Sequence, residues 1–293
     1  MKDQFLYTLI RLAMIGLGKL PAFVRSFMTD LFARIWFGLD KRHRNVVFNN
    51  IRKAYPGRFN DEQAWEFVKV NFRHTAGILF DVAWSYSLEP GELLRHFEIR
   101  GFEKAEKVIN RGRGAIFLTC HMGNFELMAT AIAKTDVRPL VLYRKLDFNP
   151  AERLVKEMRE RFGVTMMPIR KAAPKVIEAL AKGKIVGTLL DQNVDWYKGV
   201  FVDFFGRRAC TNSGLAKLVL QTEAAVLPLF FRKENNRFIL EFLPEVPITR
   251  TGDAIKDIET NTQAFVSAVE SMVRLAPEQY FWVHNRWKTR PYC

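Results

Sequence analysis

The chain has 293 residues, 48% of them hydrophobic, and its 45 Lys+Arg against 31 Asp+Glu give a formal charge of +14. A chain of that length buries roughly three quarters of its unfolded surface, so it needs neither disulfides nor a structural metal to fold. The cysteines, Cys120, Cys210 and Cys293, are scattered and form no CxxC pair, which argues for a reducing compartment and against a structural zinc site. The cation excess points to an anionic partner: nucleic acid, an anionic lipid surface or an acidic protein. No nucleic-acid-binding module is recognisable, so nucleic acid is not expected.

From Phe5 to Val24 nearly every residue is apolar, yet Arg11 and Lys19 interrupt the run and leave no uncharged stretch of about 18 residues. On a helical projection Gln4, Thr8, Arg11, Gly18 and Lys19 form one narrow stripe, and Phe, Leu, Ile and Met fill the rest. Such a helix suits the membrane interface, or a tilted span whose polar stripe packs on protein; a buried amphipathic helix carries the same pattern. A cleavable signal is not expected, because Arg11 splits the apolar region and no small-x-small site follows. A second apolar segment, "FMTDLFARIWFGL" (27–39), follows at once. Residues 1–39 are therefore predicted to form a membrane-associated helical part, ahead of a unit covering 40–293.

Residues 40 to 95 read as helices. "DEQAWEFVKVNFRHTAGILFDVAWSYSL" carries apolar positions at helical spacing, with Asp61 as the expected N-cap. After Pro90 short apolar runs alternate with helical segments. "AIFLTC" (115–120), "RPLVLYR" (138–144), "VTMMPI" (164–169) and "IVGTLLD" (185–191) read as buried strands, with helices near 125–134, 150–162 and 173–182 between them. "AVLPLFFRKENNRFILEFLP" reads as a hairpin turning at Asn235-Asn236, followed by a helix over about 255–275. The alternation predicts an α/β fold with a mainly parallel central sheet flanked by helices.

One stretch within this pattern carries chemistry. "AIFLTCHMGNFELM" ends an apolar run at His121, turns through Gly123 and Asn124, and starts a helix with Glu126 in its first turn. Functional groups of an open α/β sheet collect where strands end and helices begin. Gly123 permits the turn, Asn124 can cap the helix, and Glu126 is expected to fold back and hold one imidazole nitrogen of His121. The other nitrogen would then accept a proton, as in a triad whose nucleophile comes from a substrate. A core histidine beside a helix-start glutamate gives the same local sequence. Cys120 is read as packing, because adjacent strand residues point to opposite faces.

"HMGNFE" resembles the HX4E form of the box found in the glycerolipid acyltransferase superfamily, and more closely the bacterial lipid A biosynthesis (late) acyltransferases. "VLYRK" (141–145), "LLDQN" (189–193), "VDFFGRRA" (202–209), "SGLAKLVLQTEAAVLPLF" (213–230) and "PEQYFWVHNRWKTRP" (277–291) resemble blocks of that family in the same order. Together they cover about residues 100 to 291. The resemblance implies an inner-membrane enzyme, with its catalytic domain on the cytoplasmic side, that moves a fatty acyl chain from acyl carrier protein or acyl-CoA to a hydroxyl of an anionic glycolipid. His121 would be the general base and Glu126 its charge partner, with the acyl thioester as co-substrate and no cofactor or metal. Arg144 would take an electrophilic or anchoring role, or else be a surface arginine. Asp191 would support the arginine or histidine network, or else form a structural turn.

Asn124, Arg207 and Arg208 are candidates for substrate contact. So are His284, Arg286, Lys288 and Arg290 of "HNRWKTRP", because alternating cations beside Trp282 and Trp287 suit a phosphorylated headgroup at a lipid interface. A basic solvated tail reads the same way. The first apolar segment of this family is usually read as a span, and Arg11 and Lys19 depart from that pattern. A lysophospholipid or a phosphoinositol mannoside is the alternative acceptor, and a non-enzymatic basic membrane binder the alternative of another class. A zinc hydrolase would want a helical pair of histidines at i, i+4, which the box lacks.

Overall fold

The computed structural model describes residues 1–291, so Cys293 lies outside the described residues. The chain opens with α1 (Lys2–Gly18), α2 (Ala22–Leu39), α3 (Lys41–Ala54) and α4 (Asp61–Ser87). Asp40 separates α2 from α3, its carboxylate accepting from the His43 backbone N–H at 3.0 Å as the cap of α3. The cap of α4 is Asn60 and not Asp61. Asn60 and Gln63 exchange side-chain-to-backbone hydrogen bonds of 2.8 and 3.0 Å, a reciprocal box that needs a pair at i, i+3. Asp61 and Glu62 then place their charge in the first turn, where the helix dipole favours it.

α1 and α2 bend by 117° about residues 19–21 and pack along α4; among the described residues no single helix is long and apolar enough to cross a membrane. Gly18 makes the close approach possible, because a Cβ there would collide with the Ala83 carbonyl oxygen. Further along, Trp36 meets Phe72 with ring centroids 4.5 Å apart. The polar stripe of α1 turns toward the protein: Gln4 accepts from Arg153 at 2.7 Å, and Arg11 donates to the Tyr86 hydroxyl at 3.0 Å. Phe5, Leu9 and Leu12 are left exposed, as are Phe23, Phe27 and Leu31 of α2. This inverts the usual soluble arrangement.

From Pro90 the chain builds α5 (Pro90–Leu94), β1 (Phe97–Arg100), α6 (Phe102–Ile109), β2 (Ala115–Thr119), α7 (Met128–Ile132), β3 (Leu140–Tyr143), α8 (Asn149–Glu160), β4 (Thr165–Pro168), α9 (Ala173–Ala181) and β5 (Ile185–Leu189). It continues through β6 (Gly199–Phe204), β7 (Arg207–Asn212), α10 (Gly214–Thr222), β8 (Ala225–Glu234), β9 (Arg237–Phe242) and α11 (Ala254–Leu275). Seven strands form one sheet in the order β1-β9-β8-β2-β5-β3-β4, parallel except for the β8–β9 hairpin. That hairpin turns at Asn235 and Asn236, both at positive φ, as their residue types allow. β6 and β7 form a separate antiparallel ribbon, not anticipated from the sequence because its two-residue turn begins with Phe205 at positive φ, where asparagine or glycine would be the signal.

β2 lies at the centre, with all five residues buried. Ala115 and Phe117 face a core with α6 and α7, while Ile116 and Leu118 face a second core with α9, α10 and α11. A strand buried on both faces reads as a continuous apolar run, which is why it was legible.

The α1–α4 contact generates a paired expectation. Gly18→Leu should lower the urea midpoint of the protein in mild detergent by the equivalent of about 1–3 kcal/mol of overpacking. Gly16→Ala, whose Cβ would meet nothing within 4 Å, should be neutral or raise stability by up to about 1 kcal/mol through helix propensity. Equal effects of the two changes would mean that α1 does not dock through Gly18.

Candidate active site

β2 and β5 are neighbours, parallel and in register from Ala115 opposite Ile185 to Thr119 opposite Leu189. Two residues past each strand end, the same register puts His121 opposite Asp191. The His121 Nδ1–H donates to Asp191 Oδ1 at 2.8 Å, and the His121 backbone N–H donates to Oδ2 at 3.2 Å. Asp191 is 3% exposed, and His121 keeps 21% of its side chain open. The tautomer follows from the partner: a carboxylate at Nδ1 leaves Nε2 as the acceptor. The imidazole is held edge-on by Phe125, with centroids 4.9 Å apart.

The expected partnership of His121 with Glu126 is not what the structure forms. Glu126 lies in a 3-10 turn, Phe125–Leu127, and its Oε2 accepts from Nε and Nη2 of Arg159 at 3.0 and 2.6 Å. The physical reason is the register: the strand neighbour delivers Asp191 to Nδ1, and α8 delivers an arginine to Glu126. Asp191 thus supports the histidine, one of the roles considered for it. Arg159 carried no short-range signal, since it lies 33 positions from its partner on a charged amphipathic helix.

The turn itself is tied on three sides. Gly123 has φ +58° and its missing side chain leaves room for the Phe231 carbonyl; its N–H donates to the Gln279 carbonyl at 3.0 Å. Asn124 does not cap the next helix and is not open to substrate. It is 2% exposed, and its Nδ2 donates to the Ile78 carbonyl of α4 at 3.1 Å.

His121 and the Glu126–Arg159 pair open into one cavity of about 610 Å³, within the range of small-molecule sites. Its walls are mostly apolar, including Phe117, Met128, Ile132, Val141, Met166 and Leu240, and its mouth carries Arg144, Lys145 and Gln192. Arg144 is exposed there. The other predicted cations do not border this cavity.

Arg286 is 1% exposed, donates to the Cys210 carbonyl at 2.9 Å and to the Thr211 hydroxyl, and sits over the Phe204 ring; it braces the β6–β7 ribbon and cannot reach a headgroup. His284 is half-buried and its Nε2 accepts from the Asn193 N–H at 2.9 Å. Thr289 and Asn193 exchange hydrogen bonds of 3.0 and 3.1 Å, so the C-terminal segment stitches down the loop that follows Asp191. Arg207, Arg208, Lys288 and Arg290 are exposed. Arg207 donates to the Lys53 carbonyl at 3.1 Å. Burial, together with the charges of Arg290 and Arg207, holds the Lys53 ammonium below the usual lysine range.

The electrostatics of the dyad follow from competing effects. Burial by itself pulls the His121 pKa down, but the charge and hydrogen bond of Asp191, with the charge of Glu126 added, outweigh it and the net direction is up. For Asp191 burial pushes upward, and the His121 charge and hydrogen bonds bring it below the ordinary aspartate value. His284 goes the other way, lowered chiefly by burial, and stays neutral as an acceptor. Burial also pushes the Cys120 thiol up, so it is no thiolate nucleophile at neutral pH. The arrangement is an oriented imidazole, its basicity raised by a buried carboxylate and its Nε2 free, at the end of a largely apolar cavity, which is equipment for accepting a proton from a hydroxyl.

Comparison with known proteins identifies the family. Residues 2–289 match the family described as bacterial lipid A biosynthesis acyltransferase. The chain is 25% identical over 278 residues to a lipid A biosynthesis acyltransferase of Haemophilus influenzae, covering 94% of this chain and 85% of that protein. It is 26% identical over 254 residues to a lipid A biosynthesis lauroyltransferase of Escherichia coli K12, covering 86% and 81%. It is 22% identical over 298 residues to a lipid A biosynthesis palmitoleoyltransferase of the same organism, covering 98% and 94%. A match that spans nearly the whole described fold, including both strand ends of the dyad, leaves one conclusion: the chain belongs to the bacterial lipid A biosynthesis acyltransferase family and is an acyltransferase.

Proposed function

We propose that this enzyme transfers a fatty acyl chain from a thioester donor to a free hydroxyl of a lipid A precursor at a membrane surface. The single observation that carries the reading is His121, oriented by buried Asp191 and opening into a largely apolar cavity. The acyl chain lies along the cavity, with its thioester carbonyl near His121. As the acceptor oxygen attacks that carbon, its proton passes to Nε2, and Asp191 stabilises the imidazolium. The tetrahedral intermediate then collapses and the C–S bond breaks. The leaving sulfur takes the proton back from Nε2, releasing an ester and a free thiol.

Two cations serve the charges of this reaction. Arg144 at the mouth faces the developing oxyanion or a phosphate of the acceptor. Arg159 holds positive charge in the cavity wall, anchored there by Glu126. In this reading the two carboxylates have separate duties: Asp191 orients the base, and Glu126 positions Arg159 while adding to the field at His121. The exposed apolar face of α1 and α2 is the membrane-interface element, in keeping with its inward-turned polar stripe.

His121→Ala and Asp191→Ala should each lower kcat by about 10²–10⁴-fold, and the double variant should be scarcely worse than the worse single one. Glu126→Ala should show that kind of coupling with Arg159→Ala and add more nearly independently to Asp191→Ala. A His121→Ala enzyme retaining a tenth of wild-type activity would remove the base from the scheme.

The pH profile has a definite sign. Activity needs neutral His121, whose folded pKa lies above its ordinary value, so kcat/KM should rise with pH through a point above about 6.5. Asp191→Asn removes the charge that opposes burial, and the acidic limb should move to lower pH even as the rate falls. A limb that stays in place in Asp191→Asn would show that another group titrates.

The acceptor is tested by mass spectrometry of total lipids from cells with and without the gene. Lipid A should lose one acyl group, and the mass difference identifies the chain. Lipid A of unchanged mass alongside a phospholipid or glycolipid lacking a chain would leave the chemistry but reassign the substrate.

A further inference from the structure

The cavity mouth has a composition that catalysis alone does not require. β3 and β4 pair in parallel with Tyr143 opposite Pro168, and the Ile169 N–H donates to the Tyr143 carbonyl at 2.9 Å, so the loops leaving both strands run side by side. Each loop puts two consecutive cations next to an exposed apolar side chain: Arg144-Lys145-Leu146 in one, Ile169-Arg170-Lys171 in the other. Leu146 and Ile169 also line the cavity; they are 43% and 54% exposed, and Phe148 nearby is 49% exposed.

We propose that this rim is a second membrane contact, in which the two loops seat their apolar side chains in the surface of an anionic bilayer. The four cations lie at the level of its phosphates. The inference rests on the reading of the enzyme as an interfacial acyltransferase and says where, beyond α1 and α2, it touches the lipid.

Three observations favour a lipid surface. The first loop is held in an outward shape: the buried Glu152 carboxylate accepts from the Leu146 N–H at 2.9 Å and from the Tyr143 hydroxyl at 2.6 Å, so Leu146 and Phe148 are not free to collapse onto the core. Among the described residues no carboxylate lies within ion-pairing distance of the four cations, which leaves their charge for an external anion. The rim also lies next to α1, whose other side carries the exposed Phe5, Leu9 and Leu12. Asn149, directly after Phe148, reaches Asp3 at 3.4 Å, and the Tyr7 hydroxyl donates to Glu157 of α8 at 2.5 Å. An acyl chain entering between Leu146 and Ile169 would then pass from bilayer to cavity without crossing water.

The test uses the full-length protein and vesicles alone, so it needs neither acyl donor nor acceptor. In a Cys293→Ser background, which leaves only the buried Cys120 and Cys210, an environment-sensitive fluorophore is attached at Leu146→Cys and, as a control away from the cavity, at Glu259→Cys. Vesicles containing phosphatidylglycerol should produce a several-fold rise in emission at position 146 and little at 259. Arg170→Ala with Lys171→Ala should weaken binding to those vesicles by about 5-fold per charge removed, and leave binding to neutral vesicles unchanged. A label at 146 that ignores anionic vesicles, or that responds to an acidic acyl carrier protein instead, overturns the proposal. If the label at position 146 inserts yet the wild-type enzyme acylates no lipid, the rim stands and the acyltransfer scheme falls; if the wild-type enzyme acylates lipid A while the label stays in water, the reverse holds.

Discussion

The site depends on the register between β2 and β5. Because the two strands are parallel neighbours with Thr119 opposite Leu189, the residues two positions beyond them meet at hydrogen-bonding distance, and those residues are His121 and Asp191. A slip of one position would send every side chain of β2 to the other face and empty both cores that it feeds. The cost of misplacing the dyad is thereby tied to the cost of misfolding the sheet.

Around that pair the protein separates its charges by function. Asp191 is buried, answers both the ring and the backbone of His121, and has the Tyr280 hydroxyl on its own carbonyl at 3.3 Å. Glu126 sits within electrostatic range of His121 but spends its hydrogen bonds on Arg159. Two carboxylates close to one imidazole are tolerated because one of them is neutralised by a guanidinium in a partly buried ion pair.

The cations divide in a similar way. Those of the C-terminal segment that looked most like a headgroup site include two, His284 and Arg286, that are consumed inside the protein, bracing the loop after Asp191 and the β6–β7 ribbon. A buried guanidinium with only neutral hydrogen-bond partners is a costly element, and here it ties the C-terminal segment to both strands of the β6–β7 ribbon. The solvent-facing cations that border the cavity, Arg144 and Lys145, come instead from the loop after β3.

The sequence by itself determined the elements whose cause is local. β2 is an apolar run because both its faces are buried, β5 is a mostly apolar run whose last three residues border the cavity, the asparagine pair marks the β8–β9 turn, and helical spacing marks α4 and α11. His121 at a strand end was legible for the same reason. The partners were not. That β2 lies beside β5, and so beside Asp191, is a fact of strand order, although the equal lengths of "AIFLTCH" and "IVGTLLD" carry the register once adjacency is known. The Glu126–Arg159 pair, the burial of Arg286 and the shared mouth of the β3 and β4 loops likewise came from the tertiary structure. Each joins segments tens of residues apart, and spacing along a chain encodes only which face a side chain occupies, not which distant face it will meet.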